Sequence, residues 1–234
     1  MPKLTWDKAG ERFYETGVSK VAVYPHSDIE VDPDGNVISK PNGGIAWNGV
    51  TAITESPSGA EATPLYADNI KYLNLVSTEE FSGTIEAYSY PFGFERCIGE
   101  DGPCWGISFG QQPRKTFDLC YVTKLGNDTD GTDHGYKLHI VYNCLVAPSE
   151  RAYATINDSP EATTFSWEFT TTPVDVPGHK PTAHIIFDST KFDPTYLKIL
   201  EERLYGTDDP ESIPYMMTPE NLFKLIDEVV NGKG

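Results

Sequence analysis

Three short patterns in this sequence combine residue types and spacings that could support chemistry. The first is the segment LGNDTDGTDHGYKLHIVY, Leu125 to Tyr142, in which acidic and amide side chains precede two histidines. The second is GISFG, Gly106 to Gly110, which matches the G-x-S-x-G pattern around a nucleophilic serine. The third is a set of histidines spaced five residues apart. Each chemistry requires a particular local structure, so the surrounding sequence decides whether it is available.

The segment around Gly131 lacks two ligands that a calcium loop needs. An EF-hand loop places acidic or amide ligands at positions 1, 3 and 5, glycine at 6 and glutamate at 12. With Gly131 at position 6, Asp128 and Asp130 fall at positions 3 and 5, but Gly126 and Lys137 fall at positions 1 and 12. Asn, Asp and Gly favour left-handed turn conformations. We therefore predict that this loop is a hairpin connection.

Ser108 lacks the surroundings of a catalytic serine. A nucleophile elbow requires a strand before the serine and a helix after it. Here CIGEDGPCW precedes the motif, and QQPRKTFDL leads through Pro113 into a strand-like run. The context favours a loop, and we predict that the protein is not an enzyme.

The histidines form two pairs, His134 with His139 and His179 with His184, each five residues apart. An odd spacing along an extended chain sends the two side chains to opposite faces. Neither pair can converge on a metal without a bulge, so we interpret these histidines as loop and surface residues. We predict no catalytic, cofactor-binding or metal-ligating residues and no cofactor.

The four cysteines offer two further possibilities. Cys97 and Cys104 are separated by IGEDGP, a longer gap than that of a zinc knuckle, and Cys120 and Cys144 lie in strand-like runs. Structural zinc and a Cys97–Cys104 disulfide both stay open. The interpretation we favour is free thiols, mostly buried, because we expect the chain to be made in a reducing cytosol.

The composition predicts a folded acidic protein. Of 234 residues, 38% are hydrophobic, with 11 Phe, 13 Tyr and 4 Trp, which is enough for a sizeable core. The net charge of −17 disfavours binding to phosphate backbones. No apolar run reaches the roughly 20 residues that span a bilayer, and the first residues lack the apolar region of a signal peptide. We expect no membrane partner.

Alternating polar and apolar residues predict antiparallel strands. In GYKLHIVYNCLV, the residues Tyr142, Cys144 and Val146 are predicted to share one face. A second alternating run is ATTFSWEFTTTP. We predict one main core that includes Phe165, Trp167, Phe169, Leu138, Ile140 and Tyr142, with a helix over 194–205 packed against it.

Helix signals occur near the C-terminal end. Asp193 and Pro194 form an N-cap and a first-turn proline, and Gly206 provides a stop. Thr218 and Pro219 repeat this start. The predicted fold is all-β with minor α, an antiparallel β-sandwich with a flanking helix and a C-terminal helix. We predict a sandwich domain over residues 1–206, with a projecting hairpin at 26–43, and a C-terminal extension over 207–234.

Long blocks of the chain, from about Arg12 to Gly206, resemble the major tail protein family of long-tailed phages that infect Gram-positive bacteria. The similar blocks include RFYETGVSKVAVYP, IAWNGVTAITESPSGAEATPLYADNIKYLNLVSTEEFSGTIEAYSYP, GQQPRKTF, GNDTDGTDHGYKLHIVYN and APSERAYATINDSPEATTFSWEFTTTPVDVPG. Blocks of this length in unbroken order are more specific than a short motif.

The resemblance implies a tail tube β-sandwich without catalytic activity. Six copies would close into a ring, and stacked rings would form a tube around the tape-measure protein. Further implied partners are the tail terminator and the baseplate or distal tail proteins. DNA would pass through the lumen without specific binding. The implied location is the tail of the virion, assembled in the host cytoplasm.

Three other interpretations remain open. A carbohydrate-binding β-sandwich adhesion module would use exposed aromatic residues such as Trp6, Trp47 and Trp105. A hydrolase would use Ser108. Within the structural class, the chain could be a tail terminator, a baseplate component or a secretion-system tube subunit.

Overall fold

A computed structural model of the chain describes residues 3–26, 30–31, 37–38, 43–104, 106–156, 158, 161–209 and 211–231. The strands are β1 Tyr14–Pro25, β2 Glu30–Val31, β3 Val37–Ile38, β4 Ile45–Ala46, β5 Val50–Glu55, β6 Ser58–Gly59, β7 Ala62–Ala67, β8 Ile70–Val76, β9 Glu79–Glu80, β10 Ser82–Ala87, β11 Phe117–Asn127, β12 Gly131–Val146, β13 Phe165–Thr171 and β14 His184–Asp188. The helices are α1 Pro194–Tyr205 and α2 Pro219–Asn231. Within these described ranges, no helix is long and apolar enough to cross a membrane.

One antiparallel sheet forms the body of the molecule, with strand order β4-β1-β11-β12-β13-β10-β5. The long strand β12 pairs along one side with β11, and on its other side with β14 and then β13. The predicted all-β fold with minor α is confirmed.

The inner core lies where this sheet curls over itself. Trp47 follows β4 at one end of the strand order, yet its ring centroid is 5.3 Å from that of Trp167 in β13. Trp167 is 1% exposed. The two halves of the sandwich therefore belong to one continuous sheet. The inner core comprises Val21, Val23, Trp47, Ile85, Ala87, Phe94, Cys97, Ile98, Phe117, Leu119, Tyr121, Val141, Cys144, Val146, Trp167 and Phe169.

The outer core lies on the opposite face, beneath both helices. Helix α1 begins where the sequence predicts, because the Asp193 carboxylate accepts a hydrogen bond from Thr195 N at 2.9 Å. Two buried tyrosines also tie the sheet to the C-terminal region. Tyr24 Oη donates to Leu204 O at 2.6 Å, and Tyr142 Oη donates to Met217 O at 3.0 Å. The outer core comprises Ala22, Tyr24, Cys120, Val122, Leu138, Ile140, Tyr142, Phe187, Leu197, Leu200, Leu204, Met217, Leu222 and Leu225.

The prediction of one main core is wrong, because the sheet carries apolar side chains on both faces. Trp167 and Phe169 belong to the inner core, with Phe165 packed against it. The other three predicted core residues, Leu138, Ile140 and Tyr142, belong to the outer core. Helix α1 contributes its buried leucines to this second group.

A bulge at Asn143 changes which face of β12 each side chain occupies. Asn143 has φ of 51°, and its N–H donates to Asp118 Oδ1 at 2.8 Å. The register with β11 shifts at this point. After an extra residue the alternation changes phase, so Cys144 and Val146 enter the inner core although Tyr142 lies in the outer core. The predicted shared face for these three residues is therefore wrong.

The predicted hairpin at 26–43 is described only in part. Its short strands β2 and β3 pair antiparallel, with Val31 opposite Val37. The DPDGN turn between them lies outside the described residues. The projection of this hairpin therefore stays a prediction.

Candidate functional site

A two-stranded arm extends from the edge of the sheet. Beyond the pair β5–β10, the chain continues as the pair β6–β9 and then as the pair β7–β8. We call residues 58–80 the arm. Ten extended residues on each side would reach up to about 30 Å. Every residue of its four strands is exposed.

The tip of the arm is a tight turn at Asp68 and Asn69. Both residues have positive φ, 53° and 65°, and they connect the paired residues Ala67 and Ile70. Two-residue turns of this kind match the twist of a hairpin and favour Asn and Asp. This hairpin is not among the predicted elements, although the Asp-Asn pair between two apolar runs is a signal for it.

Both faces of the arm expose large apolar side chains. Leu65 and Leu73 are cross-strand partners and are 41% and 39% exposed. Leu75 lies on the same face as Leu73, whereas Val76 points to the opposite face, since successive strand residues alternate. Such contiguous exposure is uncommon in monomers and marks interaction surfaces. The arm is therefore the candidate assembly surface.

A cluster of Glu55, His139 and His184 lies near the root of the arm. The interpretation of His139 and His184 as surface residues is wrong, because His139 is only 3% exposed and His184 is mostly covered. Pairing of β12 with β14 brings together one member of each predicted pair. The other members, His134 and His179, lie beside the β11–β12 turn and in an exposed loop.

The three side chains of this cluster converge on a small volume. His139 Nδ1 is 3.0 Å from His184 Nε2 and 3.5 Å from Glu55 Oε1. One ligand atom from each residue lies within 4.8 Å of the others. Neighbouring aromatic rings support the imidazoles: Tyr121 stacks on His139 at 4.5 Å between centroids, and Phe81 lies 4.5 Å from His184.

Hydrogen bonds define the tautomer of His139. Thr123 Oγ1 donates its one proton to Glu15 Oε1 at 2.6 Å. The hydroxyl oxygen of Thr123 therefore accepts a hydrogen bond from His139 Nε2 at 3.0 Å. The proton then resides on Nε2, and the lone pair of Nδ1 faces the cluster. Tyr121 Oη holds the Glu55 carboxylate by donating to Oε1 at 2.6 Å.

Burial keeps both imidazoles neutral. Desolvation, with a contribution from the neighbouring His184, lowers the pKa of His139 to about 4. Desolvation also lowers the pKa of His184, although Glu55 opposes this effect. Neutral imidazole is the form that donates a lone pair to a metal.

The loop between β11 and β12 is a hairpin connection, as predicted. Asn127 Oδ1 accepts hydrogen bonds from the N–H groups of Thr129 and Asp130. Asp128 is also occupied, since its Oδ1 accepts from Gly10 N at 3.0 Å. These side chains order the turn and hold the N-terminal segment.

Ser108 and the cysteines complete the set of candidate chemical groups. Ser108 lies in an exposed irregular loop, next to the backbone bridge between Asp101 and Phe109. All four cysteines are free, and only Cys104 is exposed, in agreement with the prediction. Burial raises the pKa of Cys97 and of Cys120 to about 12, so these thiols are poor nucleophiles.

Comparisons with known proteins found no related family and a weak structural similarity. No family model and no curated protein matches the chain. A solved structure with similarity is a chain of the "Cryo-EM structure of the anti-feeding prophage (AFP) baseplate, 6-fold symmetrised". The match covers 79% of this chain and 97% of that chain, with 10% sequence identity and a TM-score of 0.36. A similarity of this strength supports no inference about function.

Proposed function

We propose that this protein is a structural subunit of a phage tail tube. The exposed apolar arm carries the proposal, because such a surface requires a partner. The long sequence blocks that resemble major tail proteins support further copies of the same chain as the partner. Six copies form a ring, and rings stack around the tape-measure protein into a tube that conducts DNA into the host.

The position of the arm suits assembly of this kind. It continues β5, which lies at one end of the sheet order and, among the described residues, pairs with β10. The outer side of such an end strand is a template for pairing with another chain. A strand added to such an edge gains main-chain hydrogen bonds, and side-chain contacts supply specificity. Head-to-tail contacts between rings do not close, so they propagate into a filament.

The proposed role is not catalytic. The other proposed partners are the tail terminator and the baseplate or distal tail proteins, and the proposed location is the virion tail. DNA passes through the lumen without specific binding.

The alternative of a carbohydrate-binding adhesion module loses one of its supports. Trp47 lies in the inner core, and its Nε1 donates to Ser89 O at 2.7 Å. Trp6 is exposed, whereas Trp105 lies outside the described residues. An adhesion module also offers no explanation for the apolar arm.

Negative-stain microscopy of the concentrated protein tests the proposal directly. We expect tubes built from stacked rings, because the subunit carries its own assembly surface. Isolated rings would instead indicate a terminator or baseplate role. Particles that never assemble, combined with binding on a glycan array, would contradict the proposal and favour the adhesion module.

The acidic composition predicts a net negative lumen in the assembled tube. The chain has 35 acidic and 18 basic residues. Basic side chains near the phosphates would bind DNA through counterion release and slow its passage. Repulsion acts over roughly 8–10 Å at physiological salt, which is enough for a narrow channel. A cryo-EM structure of the tube checks this prediction, and a neutral or positive lumen would contradict it.

A further inference from the structure

We propose that Glu55, His139 and His184 form a binding site for a divalent transition metal of the Zn²⁺ class. This proposal replaces the expectation of no metal-ligating residues. It concerns the root of the arm and does not depend on the tube-forming role.

Two distances within the cluster are close to those of tetrahedral coordination. Zinc bonds to imidazole nitrogen and carboxylate oxygen are about 2.0–2.2 Å long, so neighbouring donors in a tetrahedron are roughly 3.3–3.5 Å apart. His139 Nδ1 is 3.0 Å from His184 Nε2 and 3.5 Å from Glu55 Oε1. The third pair of donor atoms, from His184 and Glu55, lies within 4.8 Å, so a bound ion would draw these two side chains closer together. Water can occupy the fourth position.

The surroundings hold the ligands in the required orientation. Metal-binding histidines usually donate their second N–H to a carboxylate or another oxygen, which sets the tautomer. His139 does this through Nε2, which donates to Thr123 Oγ1, and that hydroxyl donates in turn to Glu15. Tyr121 stacks on His139 and also hydrogen-bonds to Glu55. The site is therefore ordered before a metal binds.

The donor set and its exposure indicate which ions can bind. Two neutral imidazoles and one carboxylate favour zinc and neighbouring transition metals over Mg²⁺ and Ca²⁺, which prefer oxygen ligands. His139 is buried, but the Glu55 side chain is 39% exposed. An ion can therefore enter from the Glu55 side.

A bound metal would join three strands that are distant in sequence. Glu55 ends β5 at the root of the arm, His139 lies in the central strand β12, and His184 begins β14. The ion would fix the root of the arm to the body of the sheet. A metal that binds the folded chain but not the unfolded chain stabilises the fold. Well above Kd, this stabilisation grows with the logarithm of the free metal concentration.

The competing explanation is a hydrogen bond without metal. His184 Nε2–H could donate to the lone pair of His139 Nδ1 across the same 3.0 Å. In that arrangement His139 Nδ1 has an imidazole lone pair that faces the cluster, but His184 Nε2 carries a proton and cannot bind a metal. Metal binding requires the His184 proton to move to Nδ1, near Glu55 Oε2 at 3.9 Å. Direct measurement of metal binding distinguishes the two states.

The test uses the full chain with Cys104→Ser, which removes the one exposed thiol. After treatment with EDTA and dialysis, the protein is titrated with ZnCl₂. Bound zinc is then counted by elemental analysis, and Tm is measured. We expect one Zn²⁺ per chain and a rise in Tm of about 5–10 °C at free zinc about 100-fold above Kd. Equivalent Mg²⁺ should leave Tm unchanged. Co²⁺ should give the visible absorption bands of tetrahedral coordination.

Matched variants assign the effect to these residues. Glu55→Gln keeps an acceptor for Tyr121 but removes the charge, and His184→Gln removes one imidazole; each should lower zinc affinity at least about 10-fold. His179→Gln changes an exposed histidine outside the cluster and should bind like the parent. Tm without metal verifies that each variant is folded. No zinc-dependent shift in the parent, or an equal shift in folded Glu55→Gln and His184→Gln, would overturn the proposal.

Discussion

Replacing Leu65 by Glu and Leu73 by Lys should leave a folded subunit that no longer forms tubes. The two leucines face each other across β7 and β8. Opposite charges at directly paired positions preserve the hairpin, since such pairs are favourable across strands. The paired leucines are removed from the apolar surface that one subunit offers another, and the introduced charges would have to be desolvated at any remaining contact. Negative-stain microscopy and sedimentation should detect monomers at concentrations where the parent forms tubes.

Two exposed apolar residues outside the arm provide the control. Ile156→Glu combined with Ile213→Lys introduces the same charges at exposed positions, and this variant should assemble like the parent. Thermal unfolding of both double variants as monomers should differ from the parent by no more than a few degrees. Normal tubes from the Leu65→Glu and Leu73→Lys variant would show that the arm is not the assembly surface.

Local signals predicted helix α1 because its determinants lie within fourteen consecutive residues, Asp193 to Gly206. The cap, the first-turn proline, the apolar stripe and the terminal glycine each act on neighbouring backbone groups. The β11–β12 connection was predictable for the same reason. Its side chains satisfy backbone groups two or three residues away.

The two cores were not separable from the sequence. Alternation gives the two faces of each strand, but it does not say which faces of different strands come together. Leu138 and Trp167 each lie on the apolar side of a strand, yet they belong to opposite faces of the sheet. The bulge at Asn143, which shifts the alternation of β12, also depends on residues distant in sequence. Asp118 and Thr172 accept hydrogen bonds from Asn143.

The histidine cluster shows the same limit at the candidate metal site. Spacing within one strand correctly separates His134 from His139, but the partner of His139 is 45 residues away. Only the register between β12 and β14 places His184 beside it. Glu55 arrives from a third strand, so no local pattern could indicate the set.

Truncating Trp167 to alanine should cause the largest loss of stability of any change proposed for this chain. Trp167 is 1% exposed, and its ring lies 5.3 Å from that of Trp47, 5.7 Å from Tyr90 and 5.8 Å from Phe94, between centroids. Trp47 comes from a different segment than Tyr90 and Phe94, and the surroundings of such a cavity relax only partly. Replacing a buried tryptophan by alanine typically costs about 3–5 kcal/mol.

This loss should be measured by urea unfolding of the monomer. The non-assembling Leu65→Glu and Leu73→Lys background is suitable, because association would add its own stabilisation. Trp6→Ala is the matched control: Trp6 is 76% exposed, so its removal should change the free energy of unfolding by no more than about 0.5 kcal/mol. A loss below about 1 kcal/mol for Trp167→Ala would contradict its place at the centre of the inner core. A loss of several kcal/mol, with the m-value unchanged, is the result expected for a ring packed between the two halves of the curled sheet.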